Sequence, residues 1–227
     1  MPQPLPDPRL RDWVSLAIRK RRLPTKRRRV KWQSILQFEA MADRLRAGNI
    51  AIDCGASDGQ CTRRLAATGA TVYAFEPDPH AFAVLQTMFS QTPNVHLREQ
   101  AVGVEVARVP LYRSPLFESD PDYYVQASSL YASKSNVSAA GGVLVDQIDL
   151  PGFISALPRR VSILKLDIEG SEVPVLERLL DTGMASGIGC IFAETHESGI
   201  PELAARTEAL RQRIARERLI HVNLDWI

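Results

Sequence analysis

Residues 49–59 have the sequence NIAIDCGASDG, in which a short apolar run leads into a glycine-containing turn. The apolar run predicts a buried strand over 49–53, and the residues after the turn predict a helix from about Gly59 to Thr68. In an α/β sheet, a turn that follows a strand lies at the carboxyl edge, where these sheets bind nucleotides. This stretch therefore predicts a Rossmann-like α/β fold with a ligand site at residues 53–59.

The same alternation continues along most of the chain. Further strands are predicted over 71–75, 95–102, 161–167 and 188–194, with helices over 81–89, 171–180 and 202–218. Strands that alternate with helices are typical of a mostly parallel sheet with flanking helices. Residues 103–150 interrupt the rhythm with β-like pieces at 106–112 and 143–148. We expect this β-rich insertion to act as a substrate or lid segment, because long insertions in such domains are often functional.

Composition places the chain among ordinary globular proteins. It has 227 residues, of which 45% are hydrophobic and 24% are charged, as expected for one domain. The cysteines, Cys54, Cys61 and Cys190, are odd in number and form no CxxC pair, which indicates reduced thiols. We see no signal peptide pattern and no apolar run of about 20 residues. The expected location is therefore the cytoplasm, and the alternative is a peripheral position at a membrane.

The positive charge is concentrated at one end of the chain. Residues 1–31 contain eleven lysines and arginines and two aspartates, whereas the net charge of the whole chain is only +2. The pattern predicts a basic flexible arm over 1–31 and a domain over 32–227 that begins with a helix at 32–45. Residues 19–31 could contact an anionic membrane or nucleic acid. The alternative is that the arm is only a solvated, flexible segment.

The turn at 53–59 differs from a dinucleotide fingerprint. Gly55 would allow a tight turn and Gly59 a helix start close to a ligand, but Ser57 stands where the second glycine is needed. The carboxylate of Asp53 suits a ligand with a cationic amino group better than a pyrophosphate. Glu76 ends the second strand, 23 residues after Asp53, where an acid typically accepts hydrogen bonds from ribose hydroxyls. Alone, Glu76 could equally be a solvated acid before a proline turn.

Acidic residues and one histidine follow the fourth and fifth strands. LKLDIEGSE at 164–172 puts Asp167, Glu169 and Glu172 at one rim, where they could perturb one another's pKa, orient a hydroxyl or hold a divalent ion. Glu172 could instead simply favour the start of a helix. His196 follows the fifth strand and is the candidate general base. The alternative is a structural histidine.

Taken together, the segments IDCGASDG, VYAFEPDP, AVG, LKLDIEGSE and FAETH resemble the FkbM family of methyltransferases, over roughly residues 49–196. The resemblance implies a class I methyltransferase fold and the use of S-adenosylmethionine, with S-adenosylhomocysteine as product. It also implies methylation of a hydroxyl oxygen, on a sugar, a glycan or a natural-product-like small molecule. A divalent metal at the acidic rim is possible but not expected.

The resemblance also implies roles for individual residues. The methionine part of the cofactor would lie against Asp53, Gly55, Ala56 and Gly59, with Asp167 also near it. The remaining assignments are Glu76 and Pro77 for the ribose, Gln100 and Ala101 for the adenine edge, Ser128 and Ser129 in the insertion, and His196, Asp167 and Glu169 for catalysis.

Two features do not follow from the resemblance. Class I sheets usually end with a sixth and an antiparallel seventh strand, but only one β-like segment, 220–226, follows the last helix. An open sheet edge would favour a homodimer.

The second feature is the basic arm, which supports a competing hypothesis: a nucleotide-fold module tethered to RNA or acidic membrane, with weak or no catalysis. No nucleic-acid-binding motif supports that hypothesis.

Overall fold

The computed structural model describes residues 25–140 and 142–226. The expectations for residues 1–24 lie outside this range. Among the described residues, no helix is both long enough and apolar enough to cross a membrane.

Helices and strands alternate as the sequence predicts. In chain order they are α1 (Thr25–Ala42), β1 (Ile50–Cys54), α2 (Gln60–Ala66), β2 (Thr71–Phe75), α3 (Pro79–Phe89), β3 (Val95–Arg98), β4 (Ala101–Gly103), β5 (Ala107–Leu111), α4 (Pro121–Tyr124), β6 (Val143–Asp149), α5 (Leu150–Ser155), β7 (Val161–Leu166), α6 (Glu172–Asp181), β8 (Cys190–Ala193), α7 (Ala204–Arg216) and β9 (Val222–Asn223). Short 3-10 turns lie at 117–119, 125–127, 184–187 and 201–203.

Six strands form one parallel sheet in the order β3-β2-β1-β7-β8-β9. All residues of β1 and β8 are buried, as expected for central strands of a parallel sheet with helices on both faces. The predicted Rossmann-like α/β fold is confirmed. Within the described residues this sheet has no antiparallel strand, and only an isolated antiparallel bridge joins Glu194 to Asp225.

The strand register brings the predicted site residues to one edge. Cys54, the last residue of β1, lies opposite Phe75 of β2 and Leu166 of β7, and Leu166 in turn lies opposite Ala193 of β8. The residues that follow these four strands therefore emerge side by side at the carboxyl edge of the sheet.

The insertion and the short strand that leads into it form a second, smaller sheet. Its strand order is β4-β6-β5, with β4 parallel and β5 antiparallel to β6. The β-like pieces expected at 106–112 and 143–148 are thus β5 and β6. The single strand expected over 95–102 was wrong, because the chain leaves the main sheet after Arg98 and residues 101–103 pair with β6 instead.

Helix α1 crosses the boundary that the charge pattern placed after residue 31. It begins at Thr25 and ends at Ala42, whereas the sequence predicted a helix over 32–45. Phe38 packs against Phe192 of β8 and against Trp226, with ring centroids 5.4 and 4.7 Å apart. Near the start of the helix, Lys31 Nζ lies 3.1 Å from Glu194 Oε1. Residues 25–31 are therefore part of the helix that packs on the sheet.

Candidate active site

A cavity of about 270 Å³ opens at the carboxyl edge of the main sheet. The insertion closes one side of it through residues 125–130. Most of the residues that the sequence predicted for the site line this cavity: Gly55, Ala56, Glu76, Pro77, Gln100, Ala101, Ser128, Ser129, Asp167, Glu169 and His196. Asp53 and Gly59 do not line it.

The turn after β1 is held tightly between its neighbours. The backbone N–H groups of Gly55 and Ala56 both donate to the carbonyl of Phe75, at 2.9 Å. Gly55 has a φ of 77°, and a Cβ at this position would lie 1.8 Å from the carbonyl oxygen of Asp167. Only glycine fits there, because the loop after β7 crosses directly over the turn.

Gly59 has a different role from the one its motif position suggested. It adopts a left-handed conformation at the start of α2. A Cβ there would lie about 3 Å from Leu85, Met88 and Phe89 of α3. The glycine therefore allows two helices to pack closely, beneath the cavity rather than in it.

Asp53 is fully buried in the floor of the site. Its Oδ1 lies 3.2 Å from Lys165 Nζ, and its Oδ2 accepts a hydrogen bond of 2.7 Å from the Thr62 hydroxyl. Lys165 also donates to the carbonyl of Gly55 at 2.6 Å. Burial alone would lower the pKa of Lys165, but the charges of Asp53 and Asp167 raise it. The cationic partner of Asp53 is thus the ammonium of Lys165, whereas the sequence predicted a cationic ligand group.

Glu76 follows β2 and lines the cavity with only 7% of its surface exposed. Its Oε2 accepts from the backbone N–H of Ser57 at 2.8 Å, and its Oε1 accepts from that of Asp78 at 2.9 Å. Burial raises the pKa of Glu76 to about 7, against the opposing effect of these two hydrogen bonds. Each oxygen has a second lone pair that can accept a ligand hydroxyl.

His196 lies among three carboxylates. Its Nδ1 is 3.1 Å from Glu172 Oε1, and its Nε2 is 3.1 Å from Glu169 Oε2 and 3.6 Å from Asp167 Oδ1. Burial would lower the pKa of His196, but the hydrogen bond with Glu172 and the three carboxylate charges outweigh it and raise the pKa to about 10. The imidazole is therefore protonated near neutral pH, whereas a general base, as predicted from the sequence, would be neutral.

The carboxylate of Glu172 is buried and organises the loop that precedes α6. It accepts from the backbone N–H of Ile168 at 2.7 Å and from that of Gly170 at 2.9 Å, in addition to His196. Glu169 occupies the left-handed region of the backbone, with a φ of 56°. The loop therefore presents Glu169 towards the cavity, while Glu172 holds the loop and the histidine together.

The comparisons with known proteins give the family. The family model of the methyltransferase FkbM domain matches residues 53–218, most of the described domain. The chain belongs to the FkbM methyltransferase family. The resemblance that the five motifs carry is therefore confirmed.

Two solved structures are similar to this FkbM domain. Methyltransferase FkbM from Methylobacillus flagellatus KT has 20% sequence identity and a TM-score of 0.39, over 63% of this chain and 32% of that chain. The 23S rRNA methyltransferase ErmE has 26% identity and a TM-score of 0.25, over 28% of this chain and 27% of that chain. This chain thus spans about a third of the length of the first protein. No curated protein matches the sequence.

Three positively charged side chains near the cavity were not predicted from the sequence. Lys165 pairs with Asp53, Arg113 pairs with Asp78, and Lys134 Nζ lies 2.5 Å from Glu169 Oε2. A lysine inside the apolar run ILKL was the one local signal, because a buried lysine needs a partner. Arg113 and Lys134 lie in the insertion, and no local pattern indicates that they fold back onto the sheet edge.

Asp167, Glu169 and His196 have ligand atoms within 4.8 Å of one another, a spacing that could hold a metal ion. However, the ammonium of Lys134 contacts Glu169, and both ring nitrogens of His196 face carboxylates. These two positive charges already offset most of the carboxylate charge at the position that a metal ion would take.

Proposed function

We propose that this FkbM domain transfers the methyl group of S-adenosylmethionine to a hydroxyl oxygen of a sugar, a glycan or a natural-product-like small molecule. One observation carries the proposal. Glu76, with both oxygens fixed by backbone N–H groups, lies in the same cavity as the cluster of Asp167, Glu169 and His196. A carboxylate that can bind a ribose and a group that can take the proton of an acceptor hydroxyl thus line the same cavity.

The cavity residues fit the cofactor at three points. Glu76 would accept hydrogen bonds from the two ribose hydroxyls, since a carboxylate at the end of the second strand commonly does so. The adenine would lie along Gln100 and Ala101, which line the cavity beside Glu76. Asp167 is the acid that would face the amino group of the cofactor, because it lines the cavity, whereas Asp53 does not line it and is paired with Lys165 beneath the turn.

The bound cofactor supplies a methyl group already activated by a positively charged sulfur. The protein must therefore align the acceptor oxygen, exclude water and accept the hydroxyl proton. Burial raises the pKa of Glu169, while the charges of His196 and Lys134 oppose that shift. We assign the proton to a carboxylate oxygen of Glu169, with the imidazolium of His196 holding that carboxylate in place.

The first test is cofactor binding. Isothermal titration calorimetry with S-adenosylhomocysteine should give saturable binding, and the same experiment with NAD should give none. NAD binding without S-adenosylhomocysteine binding would overturn the proposal.

The second test incubates the protein with isotopically labelled S-adenosylmethionine and a panel of monosaccharides, oligosaccharides and alcohols. Label should appear in an alkali-stable methyl ether; label only in amines or carboxylates would contradict hydroxyl transfer.

A further inference from the structure

A buried ion pair that the proposed chemistry does not use joins the insertion to the loop after β2. We infer that Arg113 is a positioning residue: through Asp78 it holds the carboxylate of Glu76 ready for the ribose hydroxyls of the cofactor. This inference rests on the proposed function, because it concerns how the same cofactor site is prepared.

Arg113 and Asp78 form a two-pronged ion pair. Nε of Arg113 lies 2.8 Å from Asp78 Oδ2, and Nη2 lies 2.9 Å from Oδ1. The Asp78 side chain has no exposed surface. The guanidinium also stacks 4.1 Å from the centroid of the Phe117 ring. Such a planar contact fixes direction as well as charge, which a lysine cannot reproduce.

Asp78 transmits this restraint to Glu76 through the backbone. The Asp78 N–H donates to Glu76 Oε1 at 2.9 Å, and the Asp78 side chain accepts from the His80 N–H at the start of α3. The hydroxyl of Ser128 lies 3.4 Å from Asp78 Oδ2. One aspartate thus joins the insertion, the first turn of α3 and the ribose carboxylate.

The charges around Glu76 make the inference measurable. Burial is the main reason that the pKa of Glu76 is raised to about 7, and the charge of Asp78 raises it further, whereas Lys165 lowers it. Arg113 neutralises Asp78 at hydrogen-bond distance. Loss of the Arg113 charge should therefore raise the pKa of Glu76, and with it the pH above which the carboxylate is ionised and can accept from two hydroxyls.

The experiment measures S-adenosylhomocysteine affinity by calorimetry between pH 5.5 and 9. In the unaltered protein, affinity should rise with a midpoint near 7. In Arg113→Gln the midpoint should move up by about one pH unit, so that binding is roughly fivefold weaker at pH 7 and recovers towards pH 9. The double variant Arg113→Gln with Asp78→Asn should return the midpoint to its original value.

Two further variants serve as controls. Arg108→Gln removes an equally charged side chain from β5 of the same insertion, one that pairs with Asp146 at the surface, and should leave the midpoint unchanged. Arg113→Lys keeps the charge but loses the two-pronged contact, so its midpoint should stay while affinity drops several-fold.

An unchanged midpoint in folded Arg113→Gln would overturn the inference. If that variant does not fold, undiminished affinity in Arg113→Lys would overturn it instead. Failure of the unaltered protein to bind S-adenosylhomocysteine at any pH is a different result, since it would remove the proposed function itself.

Discussion

The ammonium of Lys165 lies 3.2 Å from Oδ1 of Asp53, between two neighbouring strands of the main sheet. Asp53 is fully buried, and Lys165 is nearly so. The same ammonium bonds to the carbonyl of Gly55, at the start of the turn that lines the cavity. Asp53 therefore shapes the turn of residues 53–59 from below, through Lys165, rather than by contacting a ligand.

This relationship predicts a large effect of Lys165→Met. The substitution leaves the carboxylate of Asp53 buried without its cation, and breaking a buried pair in this way typically costs about 3–5 kcal/mol. Urea unfolding monitored by circular dichroism should show a loss of that size. Adding Asp53→Asn, which removes the stranded charge, should recover a large part of it. A loss below about 1 kcal/mol in the single variant would contradict this account.

A second prediction concerns Glu76. Glu76→Ala removes the acceptor of two ribose hydrogen bonds, each worth roughly 1.5–3 kcal/mol when the acceptor is charged. S-adenosylhomocysteine affinity should fall by about 2–4 kcal/mol in calorimetry, since such bonds do not add fully. Glu99→Ala, two residues before the cavity-lining Ala101, is a suitable control because Glu99 does not line the cavity. Unchanged affinity in folded Glu76→Ala would place the ribose elsewhere.

The sequence predicts the main sheet well because its signals are local. An apolar strand followed by Gly55, Glu76 or Asp167 identifies a strand end, and parallel strand ends necessarily meet at one edge of a sheet. Sequence could not show that Asp53 faces downwards to Lys165 rather than into the cavity. That direction depends on a pairing between residues 112 positions apart.

The protonation state of His196 was also beyond the sequence. Glu169 and Glu172 are visible next to Asp167, but whether they surround the histidine depends on the loop before α6. The loop requires the left-handed backbone of Glu169 and the N–H groups of Ile168 and Gly170 that bind Glu172. No pattern of residue types specifies that geometry.

Truncation tests the boundary at the N-terminal end. Deletion of residues 1–24 should leave the thermal unfolding midpoint and S-adenosylhomocysteine affinity unchanged, because Ile35 and Phe38 of α1 remain in the core. Deletion of residues 1–31 shortens α1 and removes the ion pair of Lys31 with Glu194, so the midpoint should fall by a few degrees. Equal midpoints for the two truncations would show that the first turns of α1 contribute nothing.

Chelation tests the charge balance of the catalytic cluster. Because Lys134 and His196 already place positive charge beside Asp167 and Glu169, EDTA followed by buffer exchange should leave methyl transfer unchanged, and added Mg²⁺ should not raise it. The matched variant is Lys134→Met, which removes the competing cation and should create weak Mg²⁺ dependence. Loss of activity on chelation, with recovery on adding Mg²⁺, would show that the cluster holds a divalent ion.

A further prediction concerns the pH dependence that His196 imposes on stability. Its pKa is raised from the ordinary value of 6.5 to about 10 in the folded protein. A raised pKa stabilises the fold fully below pH 6.5, and this stabilisation is lost as pH rises through about 10. The difference in unfolding free energy between the unaltered protein and His196→Gln should therefore be constant at low pH and shrink steadily from about 6.5 to 10.

The raised pKa of His196 also decides which group takes the proton from the acceptor hydroxyl. If Glu169 takes this proton, the pH profile of the methyl-transfer rate should show no step near pH 6.5 from the titration of a histidine. Glu169→Gln should then reduce turnover by about 10²–10⁴, the usual contribution of a general base, without weakening S-adenosylhomocysteine binding. His196→Gln should lower turnover less, because it only loosens the carboxylate. An acidic limb near pH 6.5 that disappears in His196→Gln, with Glu169→Gln active, would instead make neutral His196 the base.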